Sequence, residues 1–377
     1  MTGDTRQLRH ALHALAERSM EEKKTRAFIR RFLEENTSLE ILETESFLAA
    51  VKHPDGEEEL PAIAFRAELD ALPVDETIAL PYASETPGVS HKCGHDGHMA
   101  ALLGFAKRLD GRHTAEPVYL FFQPGEETGS GGKGLADALE SFGISKIFAF
   151  HNRPGYPKGT IVLRSGLMQC ASMGLSLTMT GKASHASEPQ NGKNPAEALS
   201  VLLLYALSLP KAEMGDMVTP VGLNIGGADF GVSPGIGTLN LTVRARSVER
   251  MENLAEKIRE KARQQAGMDG LTLDVRALDV FPETVNDSRC AGLAEAAAAM
   301  LTLPILRMEE PWTASEDFGH CLQKVPGALF YIGDGENWPD LHTSAYDFPD
   351  DILETAEEMM EAILDLCEMA ARREGRP

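Results

Sequence analysis

The amino-acid sequence predicts an α/β protein in which a smaller module interrupts a larger unit. Three observations carry this reading. Apolar strand patterns alternate with helical ones up to about residue 172. From residue 173 to 278 the order becomes strand, helix, two strands, helix and strand. Helix and strand patterns of the first kind then resume. A chain of 377 residues exceeds one small core, so two domains are expected. The larger comprises residues 1–172 and 279–377, and the inserted one residues 173–278.

Leu8, Leu12 and Leu15 recur at helical spacing, as do Phe28, Ile29, Phe32 and Leu33, and predict amphipathic N-terminal helices. Asn36-Thr37-Ser38 ends that pattern. Residues 39–42 and 47–51 read as strands, with turn chemistry at His53-Pro54-Asp55-Gly56. A short apolar strand over 61–67 delivers Arg66, Glu68 and Asp70 to its C-terminal end. A helix is expected over 98–109, and an unbroken apolar strand over 117–122 that ends in Gln123-Pro124-Gly125-Glu126-Glu127. Next come a helix over 133–142 and a strand over 146–150, which His151 follows directly.

In the insert, strands are expected at 173–181, 218–225, 237–244 and 271–278, and helices at 195–209 and 249–265. This β-α-β-β-α-β order is that of a ferredoxin-like split βαβ module. Phe281-Pro282-Glu283 reads as the hinge back. Helices near 290–301 and 350–371 and a strand over 328–332 complete the larger domain.

Composition excludes several partners. A net charge of −21 leaves no basic face for nucleic acid. No apolar run approaches a membrane span, and Met1 to Arg30 is too charged for a signal peptide. Five scattered cysteines, at 93, 170, 290, 321 and 367, read as reduced thiols of a cytoplasmic protein.

The chemistry concentrates between His91 and His98, where three imidazoles and a thiol share eight residues of a chain with only 11 His and 5 Cys. Cys93-Gly94-His95 sets a soft thiolate and an imidazole where a turn aims both at one ion. A structural zinc knuckle would want a second Cys/His pair, and no CxxC or HxxxH follows nearby, which favours a catalytic metal site. The pair Glu126-Glu127 is the second signal. Elsewhere such a pair is a solvated surface; at a strand end, one carboxylate can bind metal while the other serves as general base. Asp70, Glu126, Glu127 and His151 all fall past strand ends, where open α/β sheets place ligands. His342, in a polar loop, says little alone. His185 reads equally as a residue leading into a helix, and Arg244 as a partner of surface acids. A different chemistry would make Cys93 a thiol nucleophile with His95 or His98 as base.

Arg66 to Pro73, His91 to His98, Gln123 to Glu127, His151, Ser184-His185-Ala186, Glu316-Asp317-Phe318 and His342 together resemble the dinuclear metallo-amidohydrolases of the aminoacylase/carboxypeptidase family. The branch is similar to that of hippurate hydrolase and the indole-acetyl-amino-acid hydrolases. The resemblance implies a mixed-sheet, metallopeptidase-like catalytic domain and an inserted lid that forms a homodimer. It implies that Cys93, His95, Glu127, His151 and His342 hold two divalent ions, manganese or zinc, with Glu126 as general base. It further implies that Asp70 orients a ligand imidazole, that His185 reaches the substrate in the partner subunit's site, and that Arg244 meets the substrate carboxylate. His91 and His98 are then left to packing and support. Five ligands fill two ions only if some are shared, as by a bridging Cys93 thiolate and a water. The implied reaction is hydrolysis of the amide bond of an N-acetyl-, N-benzoyl- or similar N-acyl-amino acid, by that water with Glu126 as base. A dipeptidase or aminopeptidase acting on small peptides is the alternative within the same class, and a metal-binding homologue without activity is a third reading. Departures lie in the insert: Pro189-Gln190 where relatives often carry Pro-His, Asn194-Pro195 for Asp-Pro, and Gly231-Val232-Ser233-Pro234 without the leading Asn. They leave the acyl group and amino acid open.

Overall fold

The computed structural model describes residues 4–56, 60–211 and 214–374; the first three residues of the Met1–Arg30 stretch lie outside them. The chain opens with helices α1 (Thr5–Leu15) and α2 (Lys23–Asn36) and strands β1 (Glu40–Glu43), β2 (Leu48–Lys52) and β3 (Ala62–Glu68). Helix α3 (His95–Asp110), β4 (Val118–Gln123), α4 (Gly132–Leu139), β5 (Ile144–Pro154), β6 (Ile161–Leu163) and β7 (Gly166–Gln169) follow. The middle of the chain holds β8 (Ala171–Thr180), β9 (Ser184–His185), α5 (Ala196–Ser208) and β10 (Met217–Ile225). It continues through β11 (Val232–Ser233), β12 (Ile236–Ala245), α6 (Val248–Asp269) and β13 (Thr272–Phe281). The last part comprises β14 (Thr284–Asn286), α7 (Ser288–Met300), β15 (Ile305–Arg307), α8 (Gly319–Leu322), β16 (Gly327–Gly335) and α9 (Leu353–Glu374).

The described residues fall into two compact units, one within Met1–Met168, Thr284–Pro311 and Glu316–Pro377, the other within Gln169–Glu283 and Trp312–Ser315. The first is built on an eight-stranded sheet in the order β1-β2-β4-β3-β5-β16-β6-β15. Its centre, β4-β3-β5-β16, is parallel. β2 joins β4 and β6 joins β16 antiparallel, so the sheet is mixed. Every residue of β3 is buried and all but one of β4, which explains why 117–122 reads as an unbroken apolar run in place of alternation. Phe65 on β3 meets Phe105 of α3 edge-on at 5.1 Å between centroids and leans on Phe148 of β5 at 5.9 Å. Helix α1 adds Leu8 and Leu12, one turn apart, to the same core.

The second unit has a four-stranded sheet in the order β10-β12-β8-β13, antiparallel throughout. In the unit's own strand order this is 2-3-1-4, the split arrangement of the ferredoxin-like module. Leu239, Leu241, Val243 and Ala245 alternate along β12 toward the core. The two helices cover that face with Leu199 and Leu202 of α5 and Met251, Leu254 and Ile258 of α6.

Two elements differ from expectation where the chemistry lies. Helix α3 starts at His95, not at residue 98, because Gly94 adopts a left-handed φ of 94° and turns the chain into the helix early. Strand β5 runs to Pro154, so His151 sits within a strand paired to Tyr331 of β16. The long β16 supplies that continuation. The short strands β6, β7, β9, β11, β14 and β15 were not expected; two to four residues are too few to show a period.

Phe65→Ala should cost about 3–5 kcal/mol through lost burial and the cavity left behind. The check is the shift in urea midpoint against the parent protein, and a shift no larger than that of a surface substitution would contradict this packing.

Candidate metal centre

The C-terminal edge of the four parallel strands is where the candidate residues meet. Asp70 follows β3, Glu126 and Glu127 follow β4, His151 lies near the end of β5, and His342 lies in the loop after β16. Cys93 and His95 arrive from the tight turn that begins α3. A side chain at Gly94 would collide with that of Asn152, so only glycine lets this turn approach β5. His342, more than half exposed, has a left-handed φ of 64°, uncommon for a non-glycine residue, and its N–H donates to Lys92 O at 2.7 Å.

Hydrogen bonds aim the rings. The Nδ1–H of His95 donates to the Asp70 carbonyl at 2.9 Å, with the Asp70 carboxylate farther off at 3.4 Å. His151 Nδ1–H donates to Asn152 O at 2.7 Å. With Nδ1 occupied by a carbonyl, each ring presents Nε2 inward. His151 Nε2 lies 3.4 Å from Cys93 Sγ, and His342 Nε2 3.3 Å from the same sulfur. Glu127 stands between His95 Nε2, at 3.8 Å, and His342 Nε2, at 3.7 Å. Glu126 is 3.9 Å from His95 Nε2 and buried. The structure thus brings together all five expected ligands and Glu126. Asp70 acts on His95 chiefly through its carbonyl; its carboxylate instead accepts the Glu127 N–H at 2.9 Å.

These residues fit divalent cations. Among the described residues, His95 Nε2, Glu127 Oε1 and Asp70 Oδ1 are buried without a hydrogen-bond partner. Burial, then Glu127 and Glu126, push the Cys93 thiol well up. Burial also raises Glu127 to about 7, against the pull of His95. Burial opposes a charge on His95, but Asp70, Glu68 and Glu127 outweigh it and raise its pKa to about 10. Acids forced toward neutrality, with one imidazole forced toward its cation, describe a cluster short of positive charge. A metal ion would supply it and displace those protons. Burial keeps His151 well below the usual range, and partial burial, then His95, lower His342, which suits both to act as neutral donors. Thiolate, imidazole and carboxylate together offer a mixed donor set that several divalent ions accept.

A thiol nucleophile fares badly in the same geometry. The Cys93 thiol is shifted away from thiolate, opposite to what reactivity needs. His98 has both ring nitrogens engaged, Nδ1 by Glu68 at 2.7 Å and Nε2 by Asn152 at 2.8 Å.

Residues 64–365 match the model of peptidase family M20/M25/M40. The chain belongs to that family. An N-acetyl-L-cysteine deacetylase of Bacillus subtilis (strain 168) is 33% identical over 345 residues, spanning 90% of this chain and 82% of the relative. A hippurate hydrolase of Campylobacter jejuni is 29% identical over 366 residues, 94% of each chain. The crystal structure of a dinuclear metal-binding M20 peptidase from Bacillus subtilis superposes with a TM-score of 0.80 at 27% identity, covering 97% of both chains. This chain is accordingly a metal-dependent hydrolase of amide bonds.

Two candidate residues of the M20 chain lie in the second unit. His185, exposed on β9, takes the Ser187 N–H on Nδ1 at 3.2 Å, with Ser187 Oγ at 2.7 Å. Arg244, on β12, donates to Thr313 O at 3.0 Å and to Ser315 Oγ at 2.8 Å.

The sequence placed Arg66, Glu68, Asp96, Gln123, Glu316 and Asp317 in motifs without showing their contacts, and did not single out Arg9, His13 or Glu76. Arg66 is buried among Glu68, Glu316 at 3.1 Å and Asp317 at 2.7 Å, and Gln123 holds both Asp317 oxygens. On the other side, Asp96 of α3 accepts from Arg9 at 3.1 Å and His13 at 2.8 Å, while His13 Nε2 reaches Glu76 at 2.9 Å. The signal for α1 was there: Arg9 and His13 fall on the face of Leu8 and Leu12, and polar groups on a core-facing stripe need partners.

Burial works against a charge on His13, but the Asp96 and Glu76 carboxylates outweigh it and raise its pKa from 6.5 to about 9. A raised histidine contributes stability that is fully present below its unfolded pKa and is lost as pH rises through the folded one. Thermal melts between pH 6.5 and 9 should therefore decline more steeply for the parent protein than for His13→Gln. Parallel declines would show that His13 does not titrate in this window.

Proposed function

We propose that the chain is an N-acyl-amino-acid amidohydrolase in which Glu126 carries the proton. The observation behind this is the unequal placing of the two adjacent carboxylates. Glu127 stands between two imidazole Nε2 atoms, whereas Glu126 meets only His95 and is pushed well above the usual carboxylate range by burial, then by Glu316 and Glu127. A carboxylate set beside the ligand cluster but outside the pair of imidazoles that flank Glu127 is placed to take a proton from water and return it to the leaving group.

Two divalent ions held by Cys93, His95, Glu127, His151 and His342, with manganese or zinc as the expected metals, would polarise the scissile carbonyl and acidify the attacking water. Glu126 takes a proton from that water at a carboxylate oxygen and then gives it to the departing amine nitrogen. The Asp70 carbonyl keeps the His95 proton on Nδ1, so Nε2 stays free for coordination. His185 receives the Ser187 N–H on Nδ1, which leaves Nε2–H as a donor for a developing oxyanion, in this subunit or its partner. Arg244 is assigned to the substrate carboxylate.

The acyl-amino-acid class is supported by the names of the two relatives, an N-acetyl-L-cysteine deacetylase and a hippurate hydrolase. A dipeptidase is the weaker reading. A homodimer through the second unit is supported by exposed Leu204 and Leu207 on α5 and by Val221 and Leu223 on the edge strand β10. Among the described residues no helix is long and apolar enough to cross a membrane. Five unpaired, buried thiols support a cytoplasmic setting.

Glu126→Gln should keep the metals and lose about 10²–10⁴-fold in kcat, the usual weight of general acid–base catalysis. Full turnover in that variant would remove Glu126 from the mechanism. Chelation with EDTA should abolish hydrolysis, and manganese or zinc should restore it. In a panel of N-acetyl-amino acids, hippurate and dipeptides, the acyl substrates should turn over faster; a clear preference for free dipeptides would reverse the assignment.

A further inference from the structure

The turn that carries Glu126 is gripped from the loop between α1 and α2. Glu22, 3% exposed, accepts the Gly125 N–H on Oε1 at 2.8 Å, and the same oxygen accepts the Met20 N–H at 2.9 Å. Ser19 Oγ–H donates to Asp70 Oδ2 at 2.6 Å, and that oxygen also accepts the Glu127 N–H at 2.9 Å. The amides on both sides of Glu126 therefore end on Glu22 of this loop and on Asp70, which the loop contacts through Ser19. Met20 adds a steric wall: it holds a left-handed φ of 65°, and a Cβ on Gly125 would meet its sulfur at 2.5 Å.

The loop itself is tied down. The Ala71 N–H donates to Glu17 O at 2.8 Å, beside the Arg18–Ala71 bridge. The Glu17 carboxylate accepts the Thr25 N–H at 2.9 Å and hydroxyl at 3.1 Å, which closes the loop onto the start of α2. A buried acid whose carboxylate is spent on two backbone amides, one belonging to a neighbouring turn, acts by position.

We propose that this loop positions the proton carrier, with Glu22 holding the Gly125 amide and Ser19, through Asp70, holding that of Glu127. The proposal rests on Glu126 being that carrier. Glu22 and Ser19 are positioning residues: their side chains bond the Gly125 and Met20 amides and Asp70, none an expected metal ligand, and they fix the peptide from which Glu126 projects. A displacement of this kind lowers turnover without lowering occupancy of the metal site.

Glu22→Ala, Glu22→Gln, Ser19→Ala and Glu126→Gln, each as metal-loaded protein, test this by steady-state kinetics and metal analysis. Glu22→Ala should lose up to about a hundredfold in kcat, with KM little changed and metal content as in the parent. Glu22→Gln should recover most of the loss, because its amide oxygen accepts the same N–H groups. Ser19→Ala should move kcat in the same direction by less. Parental kcat in Glu22→Ala, a Glu22→Gln enzyme as slow as Glu22→Ala, or a loss that tracks missing metal overturns the proposal. If Glu22→Ala does not fold, Ser19→Ala decides, and an unchanged kcat there overturns it. Inert loop variants beside an inactive Glu126→Gln refute the loop alone; a fully active Glu126→Gln refutes the carrier and the loop together.

Discussion

The close approach of Gly94 to Asn152 is the constraint on which the rest of the site depends. Without a side chain at Gly94, the turn before α3 lies against β5, so Cys93 and His95 come within reach of His151. Asn152 is itself held. Its side-chain oxygen lies 2.8 Å from His98 Nε2, and its Nδ2–H donates to Asp334 at 2.9 Å. His98 in turn leans on Glu68, and Glu68 on Arg66. A single packing requirement at the start of α3 is thus carried by a line of buried polar groups through β3 to the far side of the site.

That line also governs the charge. Burial would raise the Glu68 pKa, but Arg66 and His98 outweigh it and hold the carboxylate well below the usual range. Burial, and then the mutual repulsion with Glu316 and Glu127, drives Glu126 the other way. Acids on one sheet edge are thereby pushed in opposite directions, Glu68 downward beside Arg66 and His98, Glu126 upward among other carboxylates.

Much of this architecture was legible in the sequence, for identifiable reasons. The unbroken apolar run over 117–122 marked a doubly covered strand, and the turn residues after it put Glu126 and Glu127 at a strand end. The β-α-β-β-α-β order marked the inserted unit through its periodicity. Less was visible where tertiary packing decides. Nothing local says that a helix starts at His95 and not three residues later, because the cause is a glycine pressed against a residue 58 positions on. Nor could spacing separate His98, engaged at both nitrogens, from His95, engaged at one. The grip of Ser19 and Glu22 was hidden for the same reason: both lie in a loop whose partners are about fifty and a hundred residues away.

The neighbouring placement of β8 and β13 has a further consequence, for the order in which the chain can assemble. These strands begin and end the inserted unit, and they pair with Ser172 opposite Phe281. In the larger unit, β16 must add beside β5 from the other side of that insertion. An unfolded insert would leave a long floppy loop to be closed before that pairing, at an entropic cost that grows with the logarithm of its length. Once folded, the insert delivers its two ends side by side, so β14 to β16 return near the point where β7 left. A folded insert thus leaves a shorter effective loop to close before the sheet that bears the candidate metal ligands is complete.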